Sequence, residues 1–590
     1  MTPDPPVGGP LVATVVPDLT GLDKTFDYLV PDELRHLVRV GSMVRVTLAG
    51  RRAGGWVVAL GAGSAEVPVE RLVPLSKWSG IGPTAEVLEL ADWAAQRWGV
   101  GRLRPFLVSA SPPTMVRSLQ RATTRPAPHD TPPALHRLLD GGGGVVRVTP
   151  LDDGYEAVMA ASQRGCTIVI HPAHDAMLRL AARLRGAGLV VAVMPEQWAR
   201  AAGGVDVVIG GRTAVWASVP ATGSIVVIDE HDESLQEERS PTWHARDLGI
   251  ERARRAAVPC LLVSPCPTVS ALAWSGRRWV RPPVADERSS WPIVDVVDRS
   301  DEEPWRRSLL TSRLIAALRD PHRTVVCVHN TPGRARLLAC RTCRSLLLCE
   351  RCEAAVQQRD DGTLRCHRCG TERPPVCQAC GSGALANVRP GVSRLRDDLE
   401  AAAGRPVVTV TAGPDGPDGG GSPLVGERNG IYVGTEAVLH RVREADVVAF
   451  LDFDSELLAP RYRAAEQAFV LLVRAARMLG PRSRGGRLII QTFEPDHPAV
   501  QAALLSDPAR VAAPEAVRRR DLLLPPFGAL ARVSGPGATE FVIRSGLAHA
   551  PDGDGVLVRA ASWDELGPVL AGTPRPKGSR IRVEVDPARR

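Results

Sequence analysis

Eight of the twelve cysteines lie within 41 residues, as four pairs in which two residues separate the sulfurs. The pairs are Cys340 and Cys343, Cys349 and Cys352, Cys366 and Cys369, and Cys377 and Cys380. Two thiolates spaced in this way can reach one tetrahedral ion from a tight turn, so four pairs predict two zinc sites of four cysteines each. Structural zinc sites are closed, and we therefore expect no catalysis by these ions.

Other interpretations of the cluster fit less well. A disulfide framework is unexpected, because a long chain without an export signal is expected in a reducing compartment. Iron–sulfur ligation is possible, but regular pairs favour zinc. Spacing alone leaves the pairing open. Sequential pairing is possible, while nesting gives a compact double module with Cys340, Cys343, Cys377 and Cys380 on one ion and Cys349, Cys352, Cys366 and Cys369 on the other. We expect the scattered Cys166, Cys260, Cys266 and Cys327 to be buried and inert.

The whole chain has 590 residues, which predicts three to five domains. Hydrophobic residues make up 44% and charged residues 23%, values typical of folded soluble proteins. No run approaches the roughly 20 apolar residues of a membrane span, and the N-terminus lacks a secretory pattern, so we expect a cytoplasmic protein without a membrane partner. The net charge of +8 favours a polyanionic partner only weakly.

Apolar runs predict an α/β multidomain fold. Residues 10–75 alternate short β-rich runs with turns, residues 84–98 have helical spacing, and residues 111–133 are proline-rich like a linker. Strands then alternate with helices in two successive sets, which predicts parallel sheets. The first set contains the strands Val145–Val148, Thr167–Ile170, Val190–Val193, Val205–Ile209, Ile225–Ile228 and Cys260–Ser264. The second contains Thr324–Val328, Val407–Thr411, Ile431–Val433, Val447–Leu451 and Leu488–Gln491. The cysteine cluster interrupts the second set, residues 412–428 predict a loose loop, and a small α/β pattern closes the chain.

Two α/β units in series raise the possibility of a nucleotide motor, but the phosphate loop is missing. After the strand VVRV the chain continues TPLDDGYEA, and Lys24, Lys77 and Lys577 are its only lysines. A phosphate loop needs a terminal Gly-Lys-Ser/Thr. Asp152 and Asp153, before Gly154, instead place negative charge where a triphosphate would lie.

An acidic pair, Asp229 and Glu230, follows the fifth strand. This pattern resembles a magnesium-binding and water-activating element. Because no phosphate loop precedes it, we expect a solvated strand end instead. Residues 152–154, Asp229 and Glu230 would then be a degenerate nucleotide site, with ATP and magnesium doubtful as cofactors.

Longer segments resemble the PriA family of primosomal replication restart helicases from about residue 10 to residue 587. They are KTFDYLVP, GSMVRVTLAG, PTWHARDLGIERAR, YVGTEAVLHRVREADVVAFLDFDSELLAPRYRAAEQAFVLLVR, QTFEPDHPAV and LLLPPFGALARV, together with the cysteine spacing. The resemblance implies a β-rich N-terminal 3′-end DNA-binding domain (1–111), a linker (112–135), two RecA-like parallel-sheet helicase lobes (136–290 and 291–505), and a C-terminal domain (506–590). The zinc module, 338–390, would be inserted in the second lobe.

The chain departs from the family pattern at several ATP-linked motifs together. TPLDDG replaces the phosphate loop, the acidic box is shortened, Ser264-Pro265-Cys266 replaces a coupling motif, and the arginine-rich box is reduced around Arg474 and Arg477. The resemblance with these departures predicts a protein that binds stalled forks and D-loops and promotes primosome assembly and helicase loading without helicase activity. The alternatives are an active ATP-dependent 3′–5′ helicase with a divergent site and a zinc-ribbon regulatory protein unrelated to forks.

The resemblance also implies binding residues and partners. Phe26, Asp27 and Gly50, with Arg71, would line a pocket for the 3′-terminal nucleotide, although Phe26 and Tyr28 could equally be core residues of a strand. Forked and single-stranded DNA, single-stranded DNA-binding protein, and primosome and helicase-loading proteins are the expected partners, with a location at the nucleoid. The zinc module would contact phosphates or proteins through Arg341, Arg344, Arg351, Arg365 and Arg368.

Overall fold

A computed structural model describes residues 10–22, 24–62, 68–121, 130–300, 309–330, 338–343, 345–351, 354–359, 362–366, 370–387, 392–410 and 429–588. Among these residues, two large sheets are entirely parallel and the remaining sheets are antiparallel, which confirms the predicted α/β multidomain class. The loop predicted at 412–428 lies outside the described residues.

The N-terminal region is a five-stranded antiparallel sheet followed by two helices, as the short β-rich runs predicted. Its elements are β1 (Val12–Pro17), β2 (Phe26–Leu29), β3 (Met43–Leu48), β4 (Arg51–Gly61), β5 (Lys77–Gly80), α1 (Ala85–Arg97) and α2 (Arg104–Ala110). The strand order is β2-β1-β4-β3-β5. Val15, Tyr28, Val44 and Val57 pack together inside the sheet, and the Tyr28 hydroxyl donates to the Thr47 carbonyl at 3.3 Å. The sheet therefore curls around its own small core.

A seven-stranded parallel sheet follows, with helices between its strands. The elements are α3 (Pro133–Asp140), β6 (Gly143–Arg147), α4 (Tyr155–Ser162), β7 (Thr167–Ile170), α5 (His174–Gly186), β8 (Val191–Val193), α6 (Trp198–Gly203), β9 (Val207–Gly210), β10 (Ser224–Ile228), α7 (Ala245–Ala256), β11 (Cys260–Ser264), α8 (Val269–Ser275), β12 (Trp279–Val280) and α9 (Val284–Ser290). The order is β12-β6-β11-β10-β7-β9-β8. Both faces are covered, as a parallel sheet with continuous apolar strands requires, and the six predicted strands are confirmed.

A second parallel sheet contains six strands. The elements from residue 291 are β13 (Ile293–Asp298), α10 (Ser312–Arg319), β14 (Val325–Val328), β15 (Leu338–Cys340), β16 (Val356–Gln358), β17 (Leu364–Cys366), β18 (Glu372–Arg373), β19 (Leu385–Asn387), α11 (Val392–Ala403), β20 (Val407–Val410), β21 (Ile431–Gly434), α12 (Val438–Arg441), β22 (Val447–Phe450), α13 (Asp454–Leu457), α14 (Ala464–Leu479), β23 (Arg487–Thr492), α15 (Pro498–Leu505) and α16 (Ala509–Asp521). The order is β13-β23-β22-β14-β21-β20. Five strands match the prediction, while edge strand β13 was not predicted.

Strands β15 to β19 form a small separate unit between β14 and α11. Strand β15 pairs with β19, and β16, β17 and β18 form a three-stranded antiparallel sheet. The segment thus enters and leaves the six-stranded unit as an insertion that contains the clustered cysteines.

A four-stranded antiparallel sheet closes the chain. Its elements are β24 (Ala529–Ser534), α17 (Ala538–Ser545), β25 (Ala548–Asp552), β26 (Gly555–Ala560), α18 (Trp563–Gly572) and β27 (Arg582–Val585), in the order β25-β26-β24-β27. Helix α18 packs closely on α1, because a Cβ on Gly567 would lie 2.5 Å from the Gln96 carbonyl oxygen. This sheet shares a core with the N-terminal helices and one face of the seven-stranded sheet. In the described part of the chain, no helix combines the length and apolarity that crossing a membrane requires.

Candidate functional site: a closed cleft and a cysteine cluster

The predicted acidic pair lies in the cleft between the two parallel sheets, at the end of β10. Asp229 is 6% exposed and Glu230 is fully buried, so the interpretation as a solvated strand end is wrong. Asp229 has a φ of 49°, in the left-handed region that Asp tolerates better than most residues. Buried carboxylates need cationic or hydrogen-bonding partners, and both residues have them.

Asp229 is held by Arg477 of α14, which belongs to the other parallel-sheet unit. The Arg477 Nη1 and Nη2 atoms donate to the two Asp229 oxygens at 2.6 and 2.5 Å. The Arg477 Nε donates to the Pro150 carbonyl at 2.7 Å, in the loop after β6. Burial alone would raise the pKa of Asp229, but the Arg477 guanidinium outweighs burial and lowers it to about 2. Asp229 is therefore an ionised carboxylate, and each of its oxygens accepts a hydrogen bond from Arg477.

A parallel contact lies one turn away on α14. The Arg474 Nη2 donates to Asp232 Oδ2 at 2.9 Å, and its Nη1 lies 2.9 Å from the His440 Nε2. Burial opposes ionisation of Asp232, yet Arg474 holds the pKa of this carboxyl well below its usual range. Arg474 and Arg477 thus both bind carboxylates of the first parallel-sheet unit.

Glu230 uses its oxygens within the first parallel-sheet unit. Its Oε1 accepts from the Thr268 amide at 2.7 Å, and its Oε2 accepts from the Thr268 hydroxyl at 2.9 Å and from Arg246 at 3.3 Å. Thr268 is the N-cap of α8, so Glu230 stabilises the start of that helix. The neighbouring His231 contacts the Ser264 hydroxyl at 2.8 Å, and burial lowers the pKa of His231 to about 4.

The loop after β6 closes on itself. Asp152 Oδ1 accepts from the Gly154 amide at 2.7 Å, and Asp153 Oδ1 accepts from the Tyr155 amide at 3.1 Å. Asp153 Oδ2 also accepts from Arg183 at 2.8 Å. These amides precede and begin α4, where a phosphate loop would present its N–H groups to an anion. The loop's own carboxylates take the place of a phosphate.

Further contacts, which the sequence did not indicate, join the two units and the chain's last strand. Glu466 of α14 accepts from the Val269 amide at 2.7 Å. After β27, Asp586 accepts from the Tyr462 hydroxyl and from Arg463, each at 2.5 Å, while Gln236 donates to the Val585 carbonyl at 3.2 Å. A cavity of about 50 Å³ remains beside Glu230 and Thr268. It has room for a few water molecules. The loop after β6 and Asp229 have their polar groups bonded within the protein, so they do not fit a nucleoside triphosphate with magnesium.

The cysteine cluster brings Cys340, Cys343, Cys377 and Cys380 together, with all four sulfurs within 4.8 Å of one another. Cys343 and Cys377 are 3.3 Å apart and Cys340 and Cys380 are 3.6 Å apart. Tetrahedral ligands at about 2.3 Å from zinc lie about 3.8 Å apart, so these sulfurs fit such an ion. N–H groups of Cys343 and Thr342 help to lower the pKa of Cys340 to about 6, which favours the thiolate that binds metal.

The sequence explains the turn that holds the pair Cys377 and Cys380. Gly381, after the second cysteine of its pair, has a φ of 74°, and its amide donates to the Cys377 carbonyl at 2.8 Å. Such a turn favours glycine because positive φ has no steric cost there. In the other predicted set, Cys349 and Cys366 are buried, while Cys352 and Cys369 lie outside the described residues.

The arginines predicted to form a basic face are only partly available. Arg365 lies 3.7 Å from Glu372, which also pairs with Arg359 at 3.1 Å. Arg341 and Arg351 are exposed, and Arg344 and Arg368 lie outside the described residues. Glu372 therefore reduces the positive charge beside Arg365.

The predicted 3′-end pocket involves three separate elements of the N-terminal sheet. Phe26 and Asp27 are half-buried on β2, Gly50 lies in the β3–β4 turn with a φ of 77°, and Arg71 is exposed in a 3₁₀ turn before β5. The Thr14 hydroxyl donates to Asp27 at 2.7 Å. Phe26 packs against the core of the sheet, as the alternative interpretation anticipated, while its half-exposed ring leaves a surface for stacking.

Comparison with known proteins supports the resemblance to PriA proteins. A family model described as 3'DNA-binding domain (3'BD) matches residues 12–102, which span the N-terminal sheet and α1. The chain is 29% identical over 610 residues to the probable replication restart protein PriA of Mycobacterium tuberculosis strain H37Rv, covering 94% of this chain and 91% of that protein.

Relatives from other bacteria match over shorter stretches. The replication restart protein PriA of Bacillus subtilis is 27% identical over 347 residues, with 56% of this chain and 43% of that protein covered. The Thermotoga maritima protein is 28% identical over 410 residues, covering 64% and 54%. The chain thus spans about half the length of these two relatives. With the 3'BD match, the cysteine cluster and the nearly full-length mycobacterial match, the chain is similar to PriA replication restart proteins along most of its length.

Proposed function

We propose that this protein acts in replication restart by binding stalled or abandoned forks and D-loops, where it promotes primosome assembly and loading of the replicative helicase without helicase activity of its own. The similarity to PriA proteins and the match to a 3'DNA-binding domain support the DNA-binding part. The closed cleft supports the loss of the motor.

The Arg477–Asp229 contact is the observation on which the absence of a motor rests. In a nucleotide motor, an acidic residue after a strand holds magnesium and a second-lobe arginine stabilises charge on the γ-phosphate. Here these two groups satisfy one another through two charge-assisted hydrogen bonds. Separating a buried ion pair by removing one partner's contact costs about 3–5 kcal/mol, so a nucleotide would have to supply that energy before gaining any contact of its own.

The residues that could compensate are missing. No lysine lies between Lys77 and Lys577, so none is available to bind β- and γ-phosphates. The Gly154 amide before α4 and the Tyr155 amide at its start are already bonded to Asp152 and Asp153. A triphosphate would therefore meet two carboxylates in place of free N–H donors, which disfavours ATP binding and the alternative of an active helicase.

Zinc is proposed as the metal of the cysteine module, with two ions per chain. The four sulfurs of Cys340, Cys343, Cys377 and Cys380 support the first site, and the nested pairing leaves the other four cysteines for the second. Exposed Arg341 and Arg351 make this module the proposed contact region for DNA phosphates or for the single-stranded DNA-binding and helicase-loading proteins.

The deciding experiment measures ATP turnover by the purified full chain with forked DNA, together with ATP binding by calorimetry. We expect fork binding without DNA-stimulated hydrolysis and without measurable ATP binding. A Glu230→Gln variant is the control for contaminating enzymes. Turnover by the wild-type chain that disappears in this variant would overturn the proposal in favour of an active helicase.

A further inference from the structure

The outer face of the N-terminal sheet carries a group of unpaired cations. On β3, β4 and β5, the side chains of Val44, Val46, Ala53 and Val57 point into the core, so their neighbours point outward. Arg45, Arg52 and Lys77 are such outward residues and all three are exposed. Within the described residues, none of them forms an ion pair with an acidic side chain. We call these three residues and Gly54 the outer cationic face.

The register places the cations beside one another. Arg45 lies directly opposite Lys77 on β5 and directly opposite Gly54 on β4, while Arg52 pairs with Thr47. Directly opposed residues have Cβ atoms about 5 Å apart, and like charges at that separation destabilise a sheet. No described acidic residue of these three strands offsets this repulsion. Asp18, which lies beside Gly54, is bonded to Arg104 at 2.9 Å. A bound anion would offset it.

Gly54 leaves this face flat beside Arg45, on the side toward β1. Its φ is outside the left-handed region, and a Cβ there would meet only the Asp18 Cβ, at 3.8 Å. Backbone geometry and packing therefore do not require glycine at this position. A glycine next to Arg45, and two residues from Arg52 on the same strand, allows close approach of a ligand's backbone.

The chemistry of the face favours a duplex phosphate backbone over a single strand. Binding of single strands uses exposed aromatic rings on which bases stack. The one aromatic side chain that points outward from β3 and β4 is Trp56, which is 3% exposed and donates to the Ser111 hydroxyl. Cations without an aromatic platform match the sequence-independent phosphate contacts of duplex DNA.

We infer that the outer cationic face binds the sugar–phosphate backbone of duplex DNA, through Arg45, Arg52 and Lys77 beside the flat position at Gly54. This inference deepens the proposed DNA-binding function and rests on it. It adds a salt-dependent contact to duplex that is separate from recognition of a 3′ end by Phe26 and Asp27. Gly50 and Arg52 share the β3–β4 hairpin, so a duplex on this face would lie next to the proposed pocket.

The test compares a triple variant, Arg45→Gln, Arg52→Gln and Lys77→Gln, with the wild-type full chain. Fluorescence anisotropy measures binding to plain blunt duplex and to a fork with a free 3′ hydroxyl, each across a salt titration. Each lost phosphate contact lowers the slope of log affinity against log salt by about 0.9, so we expect a decrease of about 2–3. Duplex affinity should fall roughly tenfold or more at low salt, while discrimination between free and blocked 3′ ends is retained.

Two further variants make the result specific. Arg137→Gln, Arg179→Gln and Arg200→Gln together remove the same charge from exposed arginines around the seven-stranded sheet and should leave the salt slope nearly unchanged. Gly54→Val adds a strand-favouring side chain without changing charge and should weaken duplex binding. The thermal midpoint of the triple variant should equal or exceed that of wild type, because repulsion is removed.

If the triple variant keeps the duplex affinity and the salt slope of wild type, the inference is overturned. An acidic protein segment would then be the alternative ligand of this face. A wild-type chain that binds plain duplex but does not prefer forks would instead contradict the proposed function. In either case, a lower salt slope in the triple variant than in the control variant supports the duplex contact, and equal slopes contradict it.

Discussion

Arg477 and Asp229, 248 positions apart in the chain, form two parallel hydrogen bonds of 2.6 and 2.5 Å across the cleft between the parallel sheets. The arginine comes from a helix of one unit and the carboxylate from a strand end of the other. In a motor, these positions respond to a nucleotide between them. Here they bind each other across the cleft.

Replacing Arg477 should therefore destabilise the protein strongly. Arg477→Ala leaves the buried Asp229 carboxylate without its cation and should lower the free energy of unfolding by about 3–5 kcal/mol, measured by urea denaturation. The double variant Arg477→Met with Asp229→Asn should recover much of that loss, because no charge is left buried and Asn tolerates the left-handed backbone at position 229. Equal losses in the single and double variants would contradict an ion-pair origin.

Acidification should weaken the fold through buried histidines near the cleft. The folded-state pKa of His231 is about 4, below the unfolded value of about 6.5, because burial disfavours the charged ring. Its contribution to stability is complete above pH 6.5 and falls as the pH drops toward 4. At pH 5 the loss is about 2 kcal/mol for this residue, and His244, lowered to about 3, adds a similar amount.

Thermal midpoints measured between pH 7 and pH 5 check this prediction. His231→Gln should reduce the decrease in midpoint over that interval, whereas the exposed His174→Gln should leave it unchanged. A pH profile of His231→Gln that matches wild type would contradict a neutral buried ring. The Asp229 carboxylate contributes to stability over a different pH range, because its contribution is lost only as the pH falls from about 4 to about 2.

The predictability of each feature depended on how local its signal was. Strands β10 and β11 were predicted because continuous apolar runs such as Ile225–Ile228 are buried on both faces. Strand β13 was missed because it is half-buried and contains Asp295, and β12 because it has only two residues. The ligand pairs of the cysteine cluster follow from spacing, which local turns enforce.

The contacts in the cleft could not be predicted from local sequence patterns. Nothing local distinguishes a solvated carboxylate after a strand from a buried one, and the cation that decides the state of Asp229 comes from a distant helix. Asp586 gave no signal at all, since its partners Tyr462 and Arg463 are more than 120 positions away. Long-range pairing of charges thus determined the features that sequence patterns left open.

Metal content tests the cysteine module. We expect about two zinc ions per chain by elemental analysis, and Cys377→Ser should remove one of them because it deletes a ligand of the closed site. Cys166→Ser, outside the cluster, should retain both ions. One ion or none in the wild-type chain would refute the double module.

Removal of zinc should unfold the module without opening the cleft. Structural zinc contributes folding energy directly, so chelation should expose strands β15 to β19 to proteases while the Arg477–Asp229 contact persists. Limited proteolysis after chelation checks this outcome. Cleavage spread over the whole chain would show that the insertion and the two parallel sheets unfold together.

Asp586, which follows β27, should stabilise the packing of this last strand against the residues that precede α14. Asp586→Ala leaves Arg463 buried without its carboxylate and removes the acceptor of the Tyr462 hydroxyl, so the free energy of unfolding should fall by about 3–5 kcal/mol. The exposed Asp564→Ala, in the same C-terminal sheet region, should change it by less than about 0.5 kcal/mol. Urea denaturation of both variants measures the difference.

Blocking the 3′ end of a fork should test the proposed pocket at Asp27. A carboxylate that accepts from the terminal hydroxyl contributes about 1.5–3 kcal/mol, so a 3′-phosphate fork should bind roughly tenfold or more weakly than a 3′-hydroxyl fork. Asp27→Ala should bind both forks equally, whereas Asp32→Ala, an exposed residue of the same region, should retain the preference. The inferred outer cationic face is unchanged in Asp27→Ala, so the salt slope of this variant should equal that of wild type. Equal wild-type affinity for the two forks would place recognition of the fork outside this pocket.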